Sequence, residues 1–304
     1  MAGLKELRVR ISSIASTKKI TSAMKMVAAA RLRKANESLD KSEKYHQGIL
    51  TIAGRMYKDL IDFEKETGEQ PNYPVIMQSR TDVDNYLLVA FSSDRGLCGS
   101  YNSYVLRETI KRINELEAKG KNVKVLCIGK KIGDALKMRK PDAVWDVLVG
   151  VAQKGARYRD AEQIIEPLIT EYITGGFDVC EVIYTYFNSP ISREVKHRQL
   201  MPYVLDIDLD DPRFDNKFNN AFYEYDAAEE KVFNDAIYML MFSEVFQMLL
   251  NSQASEQGAR MTSMDNATRN AADMIGKLTL KYNRLRQSAI TTELVEIISG
   301  AEAL

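Results

Sequence analysis

Leu4-Lys-Glu-Leu7-Arg-Val-Arg-Ile11-Ser-Ser-Ile14 places four apolar residues at spacings of 3, 4 and 3, the repeat of a helix that packs along one narrow seam. From Leu4 to Gln47 there is neither Gly nor Pro, so a single long helix is predicted there. The far end of the chain answers it. After Pro212 there is no Pro, and from Ala227 to Ser299 only Gly258 and Gly276 interrupt good helix formers. At 1.5 Å per residue these stretches would span about 65 and about 110 Å. An average globular helix has about three turns. Met264, Ala267, Ala271, Met274 and Leu278 repeat at spacings of 3, 4, 3 and 4, and Leu285 falls back in frame. Two seams so far apart in sequence imply an antiparallel pair, with Ile14 near a member of the stretch Thr279–Ile298. Continuing the first frame gives Lys18, Thr21 and Lys25, so that seam is expected to end there. Ile20, Met24 and Val27 then carry the apolar character on another face. Ile290, Leu294, Ile297 and Ile298 form a further stripe at the C-terminal end. A chain built this way at both ends reads as a mechanical or scaffolding part.

Between these rods the pattern changes. Tyr86–Phe91, Val123–Ile128, Val144–Val149 and Val179–Phe187 are short apolar runs. They alternate with helical stretches over 102–119, from 129 to Lys140, and over 160–173. Strands alternating with helices predict an α/β domain with a largely parallel sheet. The expected division is a first shaft helix over 1–73, an α/β domain over 74–205, an acidic connection over 206–226 and a second shaft helix over 227–304. The fold class is thus α/β plus a long coiled coil, with a Rossmann-like domain inserted between paired N- and C-terminal helices.

Charge is segregated. Lys plus Arg equals Asp plus Glu, 42 each, yet residues 1–35 hold nine bases and one acid, while residues 206–230 hold nine acids against Arg213 and Lys217. Segregation of this kind concerns partners rather than fold. The first aromatic residue is Tyr45, so the basic N-terminal helix offers no base-stacking surface and no nucleic-acid partner is expected. Cys98, Cys127 and Cys180 form no close pair and no metal-ligand spacing, which fits a reducing compartment. The start MAGLKELRVR lacks a secretory h-region, and no run of about 18 apolar residues predicts a membrane span.

Catalytic chemistry is poorly represented. Ser93-Asp-Arg-Gly-Leu-Cys-Gly-Ser100 follows a strand and precedes a helix, as a phosphate cradle would, but it matches neither dinucleotide nor P-loop spacing. It is read as a tight turn. His46 and His197 are the two histidines, in unrelated contexts, and both are expected at the surface. Glu293 and Glu296 share a helix face without a nearby base, and Cys98 lacks a His partner. No catalytic residue, cofactor or metal is expected. Two other readings are an α/β enzyme armed with a coiled coil and a basic nucleic-acid-binding protein.

Three motifs, in order, carry a resemblance over the whole chain to the gamma subunits of F-type ATP synthases. They are Lys18-Lys-Ile-Thr-Ser-Ala-Met-Lys-Met-Val-Ala-Ala-Ala-Arg-Leu-Arg-Lys34, Ser92-Ser-Asp-Arg-Gly-Leu-Cys-Gly-Ser-Tyr-Asn102, and Ala254–Met261 followed by Tyr282–Ala301, whose Ile290, Thr291, Glu293, Glu296, Gly300 and Ala301 fit the family's closing signature. The resemblance implies a non-catalytic rotor shaft inside a ring of alpha and beta subunits, with the epsilon subunit and the membrane c-ring as further partners. It implies a peripheral position at the cytoplasmic side of the inner membrane. By motif match, Arg286 and Gln287 would touch the loops of the catalytic subunits, and Thr291 and Glu293 would serve coupling. Met24, beside Lys25, would be the position where an added positive charge impairs coupling. Arg31, Arg33 and Lys34 would face acidic segments of the beta subunits. The photosynthetic branch carries an inserted cysteine pair that is missing here, and Met1 without a transit-like extension is expected of a bacterial chain.

Overall fold

With no Gly or Pro between Leu4 and Gln47 to stop it, one helix, α1 (Ala2–Thr67), runs for 66 residues and continues through Gly48 and Gly54. The C-terminal run becomes α5 (Glu229–Glu302), of 74 residues. The computed structural model describes residues 2–153, 155–214 and 229–302. Residues 215–226 of the expected acidic connection, with Asp215, Glu224 and Asp226, lie outside them. The chain divides into two compact units, Met1–Ala30 with Arg260–Leu304, and Arg31–Ala259.

In the unit Arg31–Ala259, five strands form one sheet: β1 (Asn85–Phe91), β2 (Asn122–Ile128), β3 (Val144–Leu148), β4 (Val179–Phe187) and β5 (Arg193–Met201). Their order is β3-β2-β1-β4-β5. The first four are parallel, and β5 runs antiparallel to β4 along its edge. The crossovers are α2 (Tyr101–Glu117), α3 (Lys130–Arg139) and α4 (Tyr158–Thr174). Because side chains alternate along a strand, the sheet sorts its residues into two cores. Leu88, Ala90, Val125 and Cys127 meet Val105, Ile113 and Leu116 of α2 and Ile132 and Leu136 of α3. Leu87, Val89, Phe91, Leu126 and Val182 face the other way, onto Ile164, Ile165 and Leu168 of α4. That second core also takes Ile49, Ala53 and Met56 of α1 and Ile237, Leu240, Met241 and Val245 of α5. Each large side chain fully buried here contributes about 1.5–3 kcal/mol.

The segment of α5 from Ala236 to Ala259 is therefore a core element, apolar on several sides, which is why its sequence shows no clean amphipathic stripe. Its polar residues have a definite task. β4 pairs with β1 only as far as Ile183. Beyond that point Thr185 donates its N–H to the Ser252 hydroxyl (3.4 Å) and accepts from the Ser255 hydroxyl (3.2 Å), while the Phe187 N–H reaches the Asn251 side-chain oxygen (3.3 Å). The helix thus completes the backbone hydrogen bonding that the shorter neighbouring strand leaves open.

The unit Met1–Ala30 with Arg260–Leu304 is an antiparallel helix pair. Thr21 and Thr268 hydroxyls meet at 2.7 Å, and Lys25 Nζ lies 2.5 Å from Asp265 Oδ1. Moving forward along α1 thus moves backward along α5. Leu4, Leu7, Ile11 and Ile14 are partly buried, as their spacing requires. The seam does not end where the sequence suggested. Lys18 is exposed, so the frame lapses for one position, but Thr21 is buried, Lys25 half-buried and Ala28 buried, so it resumes, while Ile20 and Val27 stand 60% and 54% exposed. Thr21 and Lys25 stay in the seam because each finds a partner across it. On α5 the frame also differs by a residue in places. Met264, Thr268, Ala271, Ile275, Leu278 and Tyr282 turn inward, and Met274 is exposed. The register sets Ile14 opposite about Ile275, one turn short of the expected Thr279–Ile298 stretch.

Two glycines inside α5, Gly258 and Gly276, are there for different reasons. A Cβ at Gly258 would lie 3.2 Å from both Phe187 Cε2 and Pro190 Cα, so the helix backbone approaches the β4–β5 turn too closely for a side chain. A Cβ at Gly276 would meet nothing within 4 Å. Gly258→Val should destabilise the protein by about 1–3 kcal/mol. Gly276→Ala should stabilise it by about 0.5–1 kcal/mol. Thermal unfolding followed by circular dichroism checks both, and the two variants should move the midpoint in opposite directions.

Candidate functional site

In an open parallel sheet, ligands bind beyond the carboxyl ends of the strands, where the strand order reverses. Here that place lies between β1 and β4, under the loop Ser92–Ser100. The loop spends its polar groups on the protein's own backbone. Asp94 Oδ1 accepts the Lys130 N–H at the start of α3 (3.0 Å), and Oδ2 accepts the Gly150 N–H (3.0 Å). Ser92 Oγ accepts the Ile132 N–H (3.1 Å). The amides with which a helix N-terminus would hold a phosphate are thus taken by the protein's own carboxylate and hydroxyl. Gly129, at φ +103°, lets α3 begin against Ser92, whose carbonyl oxygen would lie 2.4 Å from any Cβ there. The Asn102 side-chain oxygen accepts the Ser93 N–H (3.0 Å), and its Nδ2 donates to the buried Cys98 Sγ (3.2 Å). Leu97 and Gly99 both adopt positive φ, giving the tight turn expected from the sequence. Cys98 is sealed beneath it.

The other chemical candidates are dispersed. His197 is exposed on β5, as expected. His46 departs from expectation. It is half-buried, with Nδ1 2.8 Å from the Ser243 hydroxyl, because α1 packs this face against α5. Glu293 and Glu296 are exposed on one helix face. Among the described residues, no cluster of three or more His, Cys, Asp or Glu side chains is placed to hold a metal, and no helix is long and apolar enough to cross a membrane.

The residues singled out for partner contact lie along helix surfaces. Met24 is half-buried, and Lys25 is committed to Asp265, which also pairs with Arg269. Arg31, Arg33 and Lys34 are exposed, while Leu32 and Ala35 between and beside them are buried, so α1 presents a basic face there. Arg286, Gln287, Thr291 and Glu293 are all exposed, and the Thr291 hydroxyl donates to the Gln287 carbonyl (2.9 Å). Within the helix pair, Met24 and Arg286 are separated by about twenty residues of helix, or about 30 Å. The positions line a rod and do not converge.

Two apolar surfaces foreshadowed by stripes in the sequence take their place here. The seam's register sets Ala2, where α1 begins, opposite about Gln287. From Ser288 onward α5 therefore has no partner in α1. Along that stretch Ile290, Leu294, Val295, Ile297 and Ile298 are 48–68% exposed. The second is an apolar outer surface on α1, with Val9, Ile20, Met26 and Val27 all more than half exposed. Single exposed apolar residues are ordinary, but a contiguous set marks an interaction surface. The signal was present for Ile20 and Val27, which fall outside the heptad frame.

A paired-helix shaft with outward apolar and basic surfaces, joined in one chain to an α/β unit whose ligand edge is self-filled, defines a scaffold subunit. The chain belongs to the ATP synthase family, whose sequence profile matches residues 3–304. It is 42% identical to the ATP synthase gamma chain of Rhodospirillum rubrum and 39% identical to that of Sinorhizobium medicae, over the full length of each pair. Its fold matches the central stalk of the Tetrahymena thermophila mitochondrial ATP synthase with a TM-score of 0.57 at 27% identity, covering 82% of this chain and 99% of that one. A chain of the Euglena gracilis mitochondrial ATP synthase shares the fold at a TM-score of 0.53 and 18% identity, covering 90% and 95%.

The polar seam makes the helix pair sensitive to pH. Lys25 first and Arg269 second hold the Asp265 carboxyl below the usual range. A depressed carboxyl contributes stability at neutral pH that is lost as pH falls through the acid range. Asp265→Asn should therefore unfold at a lower temperature than the parent at neutral pH. The two curves should converge in acid, as thermal melts across pH would show.

Proposed function

We propose that this chain is the non-catalytic rotor shaft of an F-type ATP synthase, peripheral to the inner membrane on its cytoplasmic side. In this reading it turns with a proton-driven membrane ring and forces catalytic beta subunits through different nucleotide affinities, with alpha, beta and epsilon subunits as neighbours. ATP chemistry then belongs to the beta subunits. The observation that carries the reading is the C-terminal part of α5. An apolar helix tip without an intramolecular partner suits a socket supplied by other subunits, and the paired region beneath it is cross-braced by Thr21–Thr268 and Lys25–Asp265. Reconstitution with alpha and beta subunits, followed by an ATPase assay, tests it. Assembly and turnover that do not depend on this chain would defeat it, as would nucleotide turnover by the chain alone.

The paired region predicts a coupling defect. Met24 sits half-buried beside Lys25, where a second lysine would add a cation that Asp265 is not free to neutralise. Such a cation would seek carboxylates of a facing subunit and favour one rotary angle, by about 1–3 kcal/mol where the pair is partly desolvated. Met24→Lys should leave assembly intact and uncouple ATP turnover from proton movement. ATP-driven proton pumping in membranes carrying the variant, compared with the parent's, is the deciding measurement.

The basic face predicts a salt effect. Arg31, Arg33 and Lys34 are exposed, and like charges gathered on one helix favour an acidic neighbour. Replacing all three with Ala should flatten the ionic-strength dependence of assembly or turnover, since surface pairs are screened over about 10 Å at 0.1 M salt. An ionic-strength profile that overlays the parent's would leave only steric pushing by the shaft.

A further inference from the structure

Within the unit Arg31–Ala259, one largely buried acid has no part in the reading above. Glu244 lies on α5 with its side chain only 15% exposed. One carboxyl oxygen, Oε1, receives Arg198 Nη2 of β5 at a loose 3.5 Å, and the other, Oε2, accepts no hydrogen bond of ordinary geometry. The groups that face it come from every neighbouring element. Arg198 projects from β5, Tyr203 from the segment after β5, Tyr184 from β4 and His46 from α1. The Ser243 hydroxyl beside it donates to the Leu240 carbonyl (2.8 Å) and so accepts from His46 Nδ1 (2.8 Å), which fixes a hydrogen on that nitrogen. The Tyr203 hydroxyl favours the charged carboxyl but leaves Oε2 unpaired.

An ionised carboxylate with one oxygen unpaired and out of water is costly, whereas a protonated one needs a single acceptor and repels nothing. We propose that Glu244 makes the meeting point of α5, β5 and α1 a proton-responsive joint, tightly packed while the carboxyl holds its proton and loosened once it is ionised. Burial pushes this carboxyl above the ordinary glutamate range, and Arg198, His46 and Tyr203 pull it part of the way back. A raised carboxyl contributes its stability fully below the ordinary range and loses it as pH rises through the raised value. The joint therefore tightens on mild acidification, opposite in sign to the Lys25–Asp265 pair. It involves the face of α5 that carries the sheet, so ionisation would change how firmly the sheet's edge strand is held.

Hydrogen exchange followed by mass spectrometry, on the full chain alone and in its assembled complex, reads the joint directly. Rates are corrected for intrinsic exchange and compared from about pH 5 to about pH 8, the range in which native proteins are usually most stable. Peptides covering β5 and residues 237–250 should lose protection severalfold as pH rises, while peptides covering β2 and α2 should not. Glu244→Gln keeps the shape and removes the titration, so its protection should stay high across the range. Arg198→Gln should move the loss of protection to higher pH, a displacement that a purely structural role would not produce. A Glu244→Gln protein that keeps the parent's pH profile overturns the proposal. So does a parent whose protection at β5 is flat or rises with pH, or an Arg198→Gln profile whose midpoint stays in place.

Discussion

The structure depends on the burial of the α5 segment from Ala236 to Ala259 against the sheet. That segment supplies Ile237, Leu240, Met241 and Val245 to the larger core, and its Ser252, Ser255 and Asn251 complete the backbone hydrogen bonds of β4. A sheet whose fourth strand outruns its neighbour would otherwise leave amides open inside the protein, at a cost comparable to a lost hydrogen bond for each. The C-terminal helix is therefore part of the α/β domain before it is part of a shaft. Deleting it to obtain a stand-alone domain would remove a wall of the core.

Within the helix pair a different economy holds. Apolar seams alone specify that two helices associate, but a run of similar side chains tolerates sliding by a heptad. Thr21–Thr268 and Lys25–Asp265 each join residues of fixed position, so they define the register as well as contributing contact. The apolar residues freed from the seam, Ile20 and Val27, are turned outward. The exchange of polar for apolar in the seam thus supplies outer surface for partners and internal alignment together.

Much of this was legible from residue order. The long helices follow from the missing glycines and prolines, and the sheet follows from short apolar runs at regular intervals. The seam beyond Ile14 was misread because Thr21 and Lys25 look wrong for a core until Thr268 and Asp265 are known to face them. That information lies some 240 residues away. The phase of the α5 seam was ambiguous because Ala267, Ala271 and Met274 are compatible with more than one face. The partners of His46 and Glu244 were invisible for the same reason, since each is met by a side chain from a distant element. Arg286, Gln287, Thr291 and Glu293 were found through motif resemblance, and the exposure of Thr291 and Glu293 follows from the unequal reach of the two helices.

Asp94 has a consequence for how the domain behaves in a cell. Its carboxylate and the Ser92 hydroxyl take the free amides at the start of α3, groups with which a helix N-terminus can hold a phosphate. A domain that binds a metabolite gains stability as the logarithm of that metabolite's concentration. One that carries its own anion, covalently attached, experiences a constant effective concentration of it. Starvation and plenty, which swing the supply of free nucleotides, should leave the melting of this domain unchanged. A part that works beside nucleotide-binding subunits is thereby made indifferent to the substance they handle.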